Sequence, residues 1–119
     1  MKKYLALTGP LALFAVLALA SPQPPTTYRG QIMDSTCAGN GSHDAGYKLT
    51  NTHTPKDCTL ACVKGGASLV LYNPSDKTTY KLSNQRRAKA LAGQDVKVEG
   101  TLDSATNTIK VTSITPAKS

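Results

Sequence analysis

Apolar and polar positions along this chain follow two periods, one of strands and one of short helices. From Tyr28 to Asp34, Tyr28 and Ile32 fall on one strand face, and Gly30 between them predicts a bend or bulge. Ala67–Tyr72 is a short run, apolar except for Ser68, bounded by Gly65-Gly66 before it and by the turn residues Asn73-Pro74-Ser75-Asp76 after it. That is the pattern of a buried strand, and Lys77–Leu82 returns as the second arm of a hairpin. From Gln94 to Leu102 the alternation is clean: Val96, Val98, Gly100 and Leu102 on one side, Asp95, Lys97, Glu99 and Thr101 on the other. A turn over Asp103–Asn107 leads into a last strand. There Ile109, Val111 and Ser113 share one face, and Lys110, Thr112 and Ile114 share the other.

Helix signals punctuate these strands. Thr54-Pro55-Lys56-Asp57 sets a capping residue before a first-turn proline, with an acid three positions after the cap. The helix it starts carries Cys58, Leu60, Ala61, Cys62 and Val63 and ends at Gly65-Gly66. Ser83-Asn84 caps a second short helix that reaches Ala92 and closes at Gly93. Residues 35–54, rich in Gly, Ser, Thr and Asn and holding both histidines, read as a long irregular insertion. The expected fold is mainly β with short helices. Five strands with a helix between the third and fourth match the element order of an OB-like five-stranded small barrel. A helix-containing Cys/His insertion separates strands 1 and 2, and closing the sheet would leave no free edge.

The N-terminus changes the picture from fold to address. Lys2 and Lys3 precede an apolar stretch, and Ala18-Leu19-Ala20 supplies a small-x-small cleavage pattern, so residues 1–20 are expected to be a signal peptide. The uninterrupted run Leu11–Ala20 is about half the ~20 residues a bilayer span needs. No stable membrane insertion is expected after cleavage, and the mature protein is expected in the periplasm or secreted. Residues 21–27 read as a flexible tether, 28–115 as the OB-like domain and 116–119 as a disordered tail. Lys2 and Lys3 leave with the leader, so the mature chain holds 12 basic against 7 acidic side chains, net +5. The run Arg86, Arg87 and Lys89 then reads as a solvated helix face, and no nucleic-acid partner is expected outside the cytoplasm. With no Trp, and with the single Phe14 inside the leader, the core rests on Val, Leu, Ile and Tyr. A core of this size invites a covalent or metal staple.

The segments Gly30–Cys37, Asp57–Gly66, Leu91–Asp103 and Ile109–Ile114 together resemble a family of small uncharacterised exported bacterial proteins with an OB-like domain, a domain of unknown function. The resemblance implies the fold and an envelope location and carries no established activity. It also implies a histidine shortly after the first cysteine, a place that His43 fills.

The remaining chemistry is thiol and imidazole. Cys58 and Cys62, four apart on the predicted helix, leave it on one face, and Cys37 opens the insertion. Three readings stay open. A disulfide from Cys37 to Cys58 or Cys62 would staple the insertion, worth about 3 kcal/mol by chain entropy, and would leave an odd cysteine. Alternatively Cys37, His43, Cys58 and Cys62 form a metal set of three thiolates and one imidazole, suited to zinc or copper. Third, a thiolate on Cys58 in the first helical turn would serve redox exchange. His53 reads as solvated.

No phosphate loop, nucleophile elbow or HExxH motif is present, so no catalytic residue is assigned. Tyr72 and Tyr80 offer stacking faces, although core packing accounts for them. The expected function is an exported OB-like binding or structural module, with a small ligand or an envelope protein as partner. The alternative is an envelope thiol oxidoreductase or metallochaperone using Cys37, Cys58 and Cys62. Intact mass of the exported protein is expected to correspond to a chain starting at Ser21; a mass retaining residues 1–20 would remove the leader.

Overall fold

The computed structural model describes residues 9, 10, 12 and 23–117. Residues 1–20, expected to be a signal peptide, lie outside the described residues except for residues 9, 10 and 12, as does the expected cleavage point after Ala20. No helix among those residues is long and apolar enough to cross a membrane.

The protein is mainly β with short helices. In chain order the elements are β1 (Thr26–Asp34), α1 (Ser35–Asn40), α2 (Asp44–Thr50), α3 (Pro55–Lys64), β2 (Leu69–Asn73), β3 (Thr78–Leu82), α4 (Gln85–Ala90), β4 (Asp95–Asp103) and β5 (Thr108–Pro116). The strands are hydrogen-bonded in the order β1-β2-β3-β5-β4, and β4 pairs back onto β1, so they form a ring. All pairings are antiparallel except β3 with β5, which run parallel over Lys81–Leu82 and Thr108–Ile109. Two boundaries differ from the sequence expectation. Thr26 and Thr27, assigned to the tether, pair with Gly100 and Glu99, and Pro116, assigned to the tail, pairs with Val96. Neither end has the apolar alternation that marks a strand from sequence; the partner strand β4 recruits them through backbone bonds.

Two apolar clusters lie on opposite faces of β1 and β2. Ile32, Leu69, Leu71, Leu82, Val96, Val98, Ile109 and Ile114 fill the interior of the ring, with Ala88 of α4 closing it. Met33, Val70 and Tyr72 point to the other face and pack with Cys37, Ala38 and Cys58 of the insertion. A sheet covered on both faces needs apolar residues at successive positions, which is why Leu69–Tyr72 is an unbroken apolar run. The insertion is therefore a helical layer seated on the outside of β1–β2. Gly30 marks a close approach and not a bulge: a Cβ there would collide with the Tyr72 carbonyl.

The helix starts follow their caps. Thr54 Oγ1 accepts the Asp57 N–H at 3.2 Å, and Asn84 Oδ1 accepts the Arg87 N–H at 3.0 Å. Gln85 fastens α4 to β2, its side chain bonding both the N–H and the carbonyl of Leu69 at 2.8 Å. The insertion is more regular than its composition suggests, because residues 35–54 contain α1 and α2.

The last strand corrects a face assignment. Glu99 pairs with Ser113 and Gly100 with Val111, so Thr112 is an extra residue in β5 and has no partner opposite. This bulge shifts the phase of alternation by one. Ile109 and Ile114, expected on opposite faces, therefore both enter the core. The Arg87 guanidinium donates to the carbonyl of Thr112 at 3.2 Å, so one member of the basic helix face is tied to the bulge. Truncating Ile114 to Ala is expected to cost about 2–4 kcal/mol in urea unfolding, as Ile109→Ala does, while Thr112→Ala stays within about 0.5 kcal/mol. An Ile114→Ala protein as stable as the parent would return that side chain to the solvent face.

Candidate functional site

The second apolar cluster holds the chemistry, and its assembly begins at Asp34. This last residue of β1 is completely buried and is the N-cap of α1. Its Oδ2 accepts the N–H groups of Thr36 and Cys37 at 3.1 and 3.0 Å. Strand passes into helix without a linker, and Cys37 is set in the first turn, facing the sheet. Gly41, with φ 72°, ends α1 and redirects the chain toward α2. The cap of α3 then places Cys58 in that helix's first turn, completely buried.

These local signals bring the sulfurs of Cys37 and Cys58 to 3.9 Å from each other. All three cysteines are free. A ligating nitrogen of His43 joins the pair, the three atoms lying within 4.8 Å of one another. Cys62 is half-buried, and Asp34, Cys37 and Cys62 make a second group within the same limit. The four expected ligands are thus gathered in one region, divided into two overlapping groups that share Cys37. His53 is exposed and belongs to neither group.

The orientation of His43 is set by Gln31. The Gln31 amide nitrogen donates to the Gly93 carbonyl at 3.1 Å, which turns Oε1 toward the ring. Oε1 lies 3.2 Å from His43 Nε2, so that nitrogen carries the hydrogen and donates it. Nδ1 keeps its lone pair, is buried and has no hydrogen-bond partner. His43 is only 8 % exposed, and its ring stacks on Tyr47 with centroids 5.7 Å apart. Burial pushes its pKa down, opposed by the weaker pull of Asp34 and Asp44, and so favours the neutral ring.

The thiols are shifted the other way. Burial raises the Cys37 thiol far above its ordinary value, and the adjoining Asp34 and Cys58 add to the rise. Cys62 is also raised, first by burial and then by Asp34 and Cys58. In the metal-free protein these groups hold their protons. A nucleophilic cysteine needs the opposite setting, a lowered pKa near positive charge.

Gly46 of α2 completes the enclosure. A Cβ there would stand 2.7 Å from the sulfurs of both Cys37 and Cys58, so only a bare α-carbon lets α2 cover the thiol pair. A cleft of about 350 Å³ lies beside the cluster, lined among others by Gln31, Met33, His43, Tyr47, Tyr72 and Asp95. Of the buried trio, His43 lines this cleft, and Cys37 and Cys58 lie behind it among the packed side chains. Three contributors were not legible as site residues in the sequence. Asp34 carries a weak signal, an N-capping residue type just before Ser35-Thr36-Cys37. Gln31 and Gly46 carry none, because their roles arise from neighbours distant in the chain.

Residues 63–117 match the family described as "Protein of unknown function (DUF5818)". The match covers the end of α3, β2 to β5 and α4, and stops short of Cys37, His43, Cys58 and Cys62. No curated protein and no solved structure shows significant similarity to the chain.

Gly46→Ala is expected to force α2 away from the sulfurs, costing about 1–3 kcal/mol of stability and speeding the reaction of Cys37 and Cys58 with a thiol reagent. Gly39→Ala is the control, since a Cβ there meets nothing within 4 Å. It is expected to be neutral or stabilising by up to about 1 kcal/mol. Equal effects of the two substitutions, read by urea unfolding, would show that Gly46 does not enclose the thiols.

Proposed function

We propose that this protein is an exported, OB-like metal-binding module. Its β1–β2 insertion holds one thiophilic ion, zinc(II) or copper(I), on the sulfurs of Cys37 and Cys58 and on Nδ1 of His43. The ring order β1-β2-β3-β5-β4, with α4 between β3 and β4, supports the OB-like reading. In that fold the β1–β2 connection borders the usual binding face, and here it is the segment that carries the thiols and the imidazole.

The observation that carries the metal reading is the unpartnered Nδ1 of a buried, neutral histidine beside two sulfurs 3.9 Å apart. A disulfide holds its sulfurs about 2.05 Å apart. Two thiolates on one tetrahedral zinc, with bonds of about 2.3 Å, sit roughly 3.8 Å apart. Nδ1 is the one ring atom without a hydrogen-bond partner, and Gln31 accepts from the opposite nitrogen as outer-shell groups of metal-bound histidines do. Three protein donors leave a coordination position for an outside ligand, and the neighbouring cleft offers the route to it. This favours binding and transfer of the ion over thiol redox turnover, for which the raised thiols of Cys37 and Cys62 are unsuited. A Cys37–Cys58 disulfide is the second reading, supported by the same proximity and by the oxidising surroundings of an exported protein.

Thiol titration and elemental analysis of the natively exported protein separate the two. Metal binding predicts three thiols in denaturant without reductant, together with bound zinc or copper. It also predicts that chelation lowers the melting temperature, since an ion at 100 times its Kd contributes about 2.7 kcal/mol. Gln31→Ala is expected to weaken the ion about 10–100-fold, and His43→Ala at least as much. One free thiol and no metal would establish the disulfide and dismiss the metal site.

A further inference from the structure

The trio of Cys37, His43 and Cys58 leaves one buried group without a counter-charge. Asp34 is completely buried, and although its Oδ2 caps α1, its Oδ1 has no hydrogen-bond partner. A divalent ion on Cys37, Cys58 and neutral His43 is balanced by the two thiolates alone. It does nothing for the Asp34 carboxylate, whose Oδ1 stays buried and unpaired, an unfavourable arrangement unless something pairs with it. Asp34, Cys37 and Cys62 each offer a ligand atom within 4.8 Å of the other two. The sequence offers Cys62 as a disulfide partner or as a ligand of one four-residue metal set, and assigns no role to Asp34.

Resting on the metal reading, the geometry points to a second cation site, formed by a carboxylate oxygen of Asp34 with the sulfurs of Cys37 and Cys62, so that Cys37 bridges two thiophilic divalent ions. The charges close. Two divalent ions are matched by the thiolates of Cys37, Cys58 and Cys62 and by the carboxylate of Asp34, with His43 neutral. Loading both ions releases three thiol protons to solvent and changes no oxidation state. The two sites differ in character. The first takes two sulfurs and a nitrogen beside the cleft. The second takes two sulfurs and an oxygen at the β1–α1 junction, and suits zinc(II) or cadmium(II) better than copper(I), because carboxylate is a harder donor.

Cadmium(II) titration of the fully reduced, metal-free chain tests this, with sulfur-to-cadmium charge-transfer absorbance and native mass spectrometry as readouts. The parent is expected to saturate at two ions per chain. Cys62→Ser, at a half-buried position, is expected to saturate at one, with the charge-transfer band of the first site retained. Asp34→Asn keeps an oxygen to cap α1 and removes the charge; it too is expected to bind one ion, with an unchanged far-UV circular dichroism spectrum. Saturation of the parent at one ion overturns the second site. If Cys62→Ser then weakens that single ion, one four-ligand centre takes its place; if it does not, the trio stands alone. A parent that binds no cadmium overturns this inference and the metal reading together, so the two failures are told apart.

Discussion

The buried carboxylate of Asp34 is the joint on which the helical layer turns. Its backbone ends β1, its Oδ2 satisfies two otherwise orphaned N–H groups of α1, and the next turn delivers Cys37 against the sheet. An N-cap of this kind is worth about 1 kcal/mol. Here its position matters more than its energy, because strand and helix share it without an intervening residue. The direction of α1, the path through Gly41 and the place of α2 all follow from that corner. So does the charge environment, since Asp34 lies beside the thiol whose protonation it helps to enforce.

Covering β1 and β2 on both faces resolves the problem posed by composition. A chain without Trp, with no Phe among its described residues, must use what it has twice. Ile32 faces the ring interior while Met33 faces the insertion, and Leu69 and Leu71 alternate in the same way with Val70 and Tyr72. The outer cluster is part apolar core and part chemical site, since Cys37 and Cys58 are counted among its packed side chains. The proposed site and the stability of the fold therefore draw on the same contacts. A ligand atom in such a place is held still by its neighbours and shielded from water, which suits coordination.

The division of labour between the ring and the insertion is also visible in what is shared with other proteins. The matched family stretch, residues 63–117, takes in most of the ring and leaves out the trio of Cys37, His43 and Cys58. Four of the five strands and α4 lie within that stretch. The insertion is not confined to the outer face of β1 and β2: Val63 of α3 packs against the inner cluster, and the backbone of Pro55 and Lys56 closes on Gly93.

Local signals in the sequence were sufficient for the strands, for α3 and for α4. Alternation of apolar residues and the caps Thr54 and Asn84 act within a few residues, so they can be read along the chain. They also identified Cys37, Cys58, Cys62 and His43 as the chemically interesting set. The tertiary structure decided what depends on distant neighbours. It put Ile109 and Ile114 on one face through the unpaired Thr112, extended β1 back to Thr26 by pairing with β4, and folded α1 and α2 out of a segment that reads as loop. It split the four candidate ligands into two groups around Cys37 and placed Gln31, Asp34 and Gly46 beside them. Asp34 is marked only weakly, as a capping residue type before Ser35, and nothing near Gln31 or Gly46 in the chain marks them, because their partners at Gly93 and at two sulfurs come together only when the sheet and the helical layer meet.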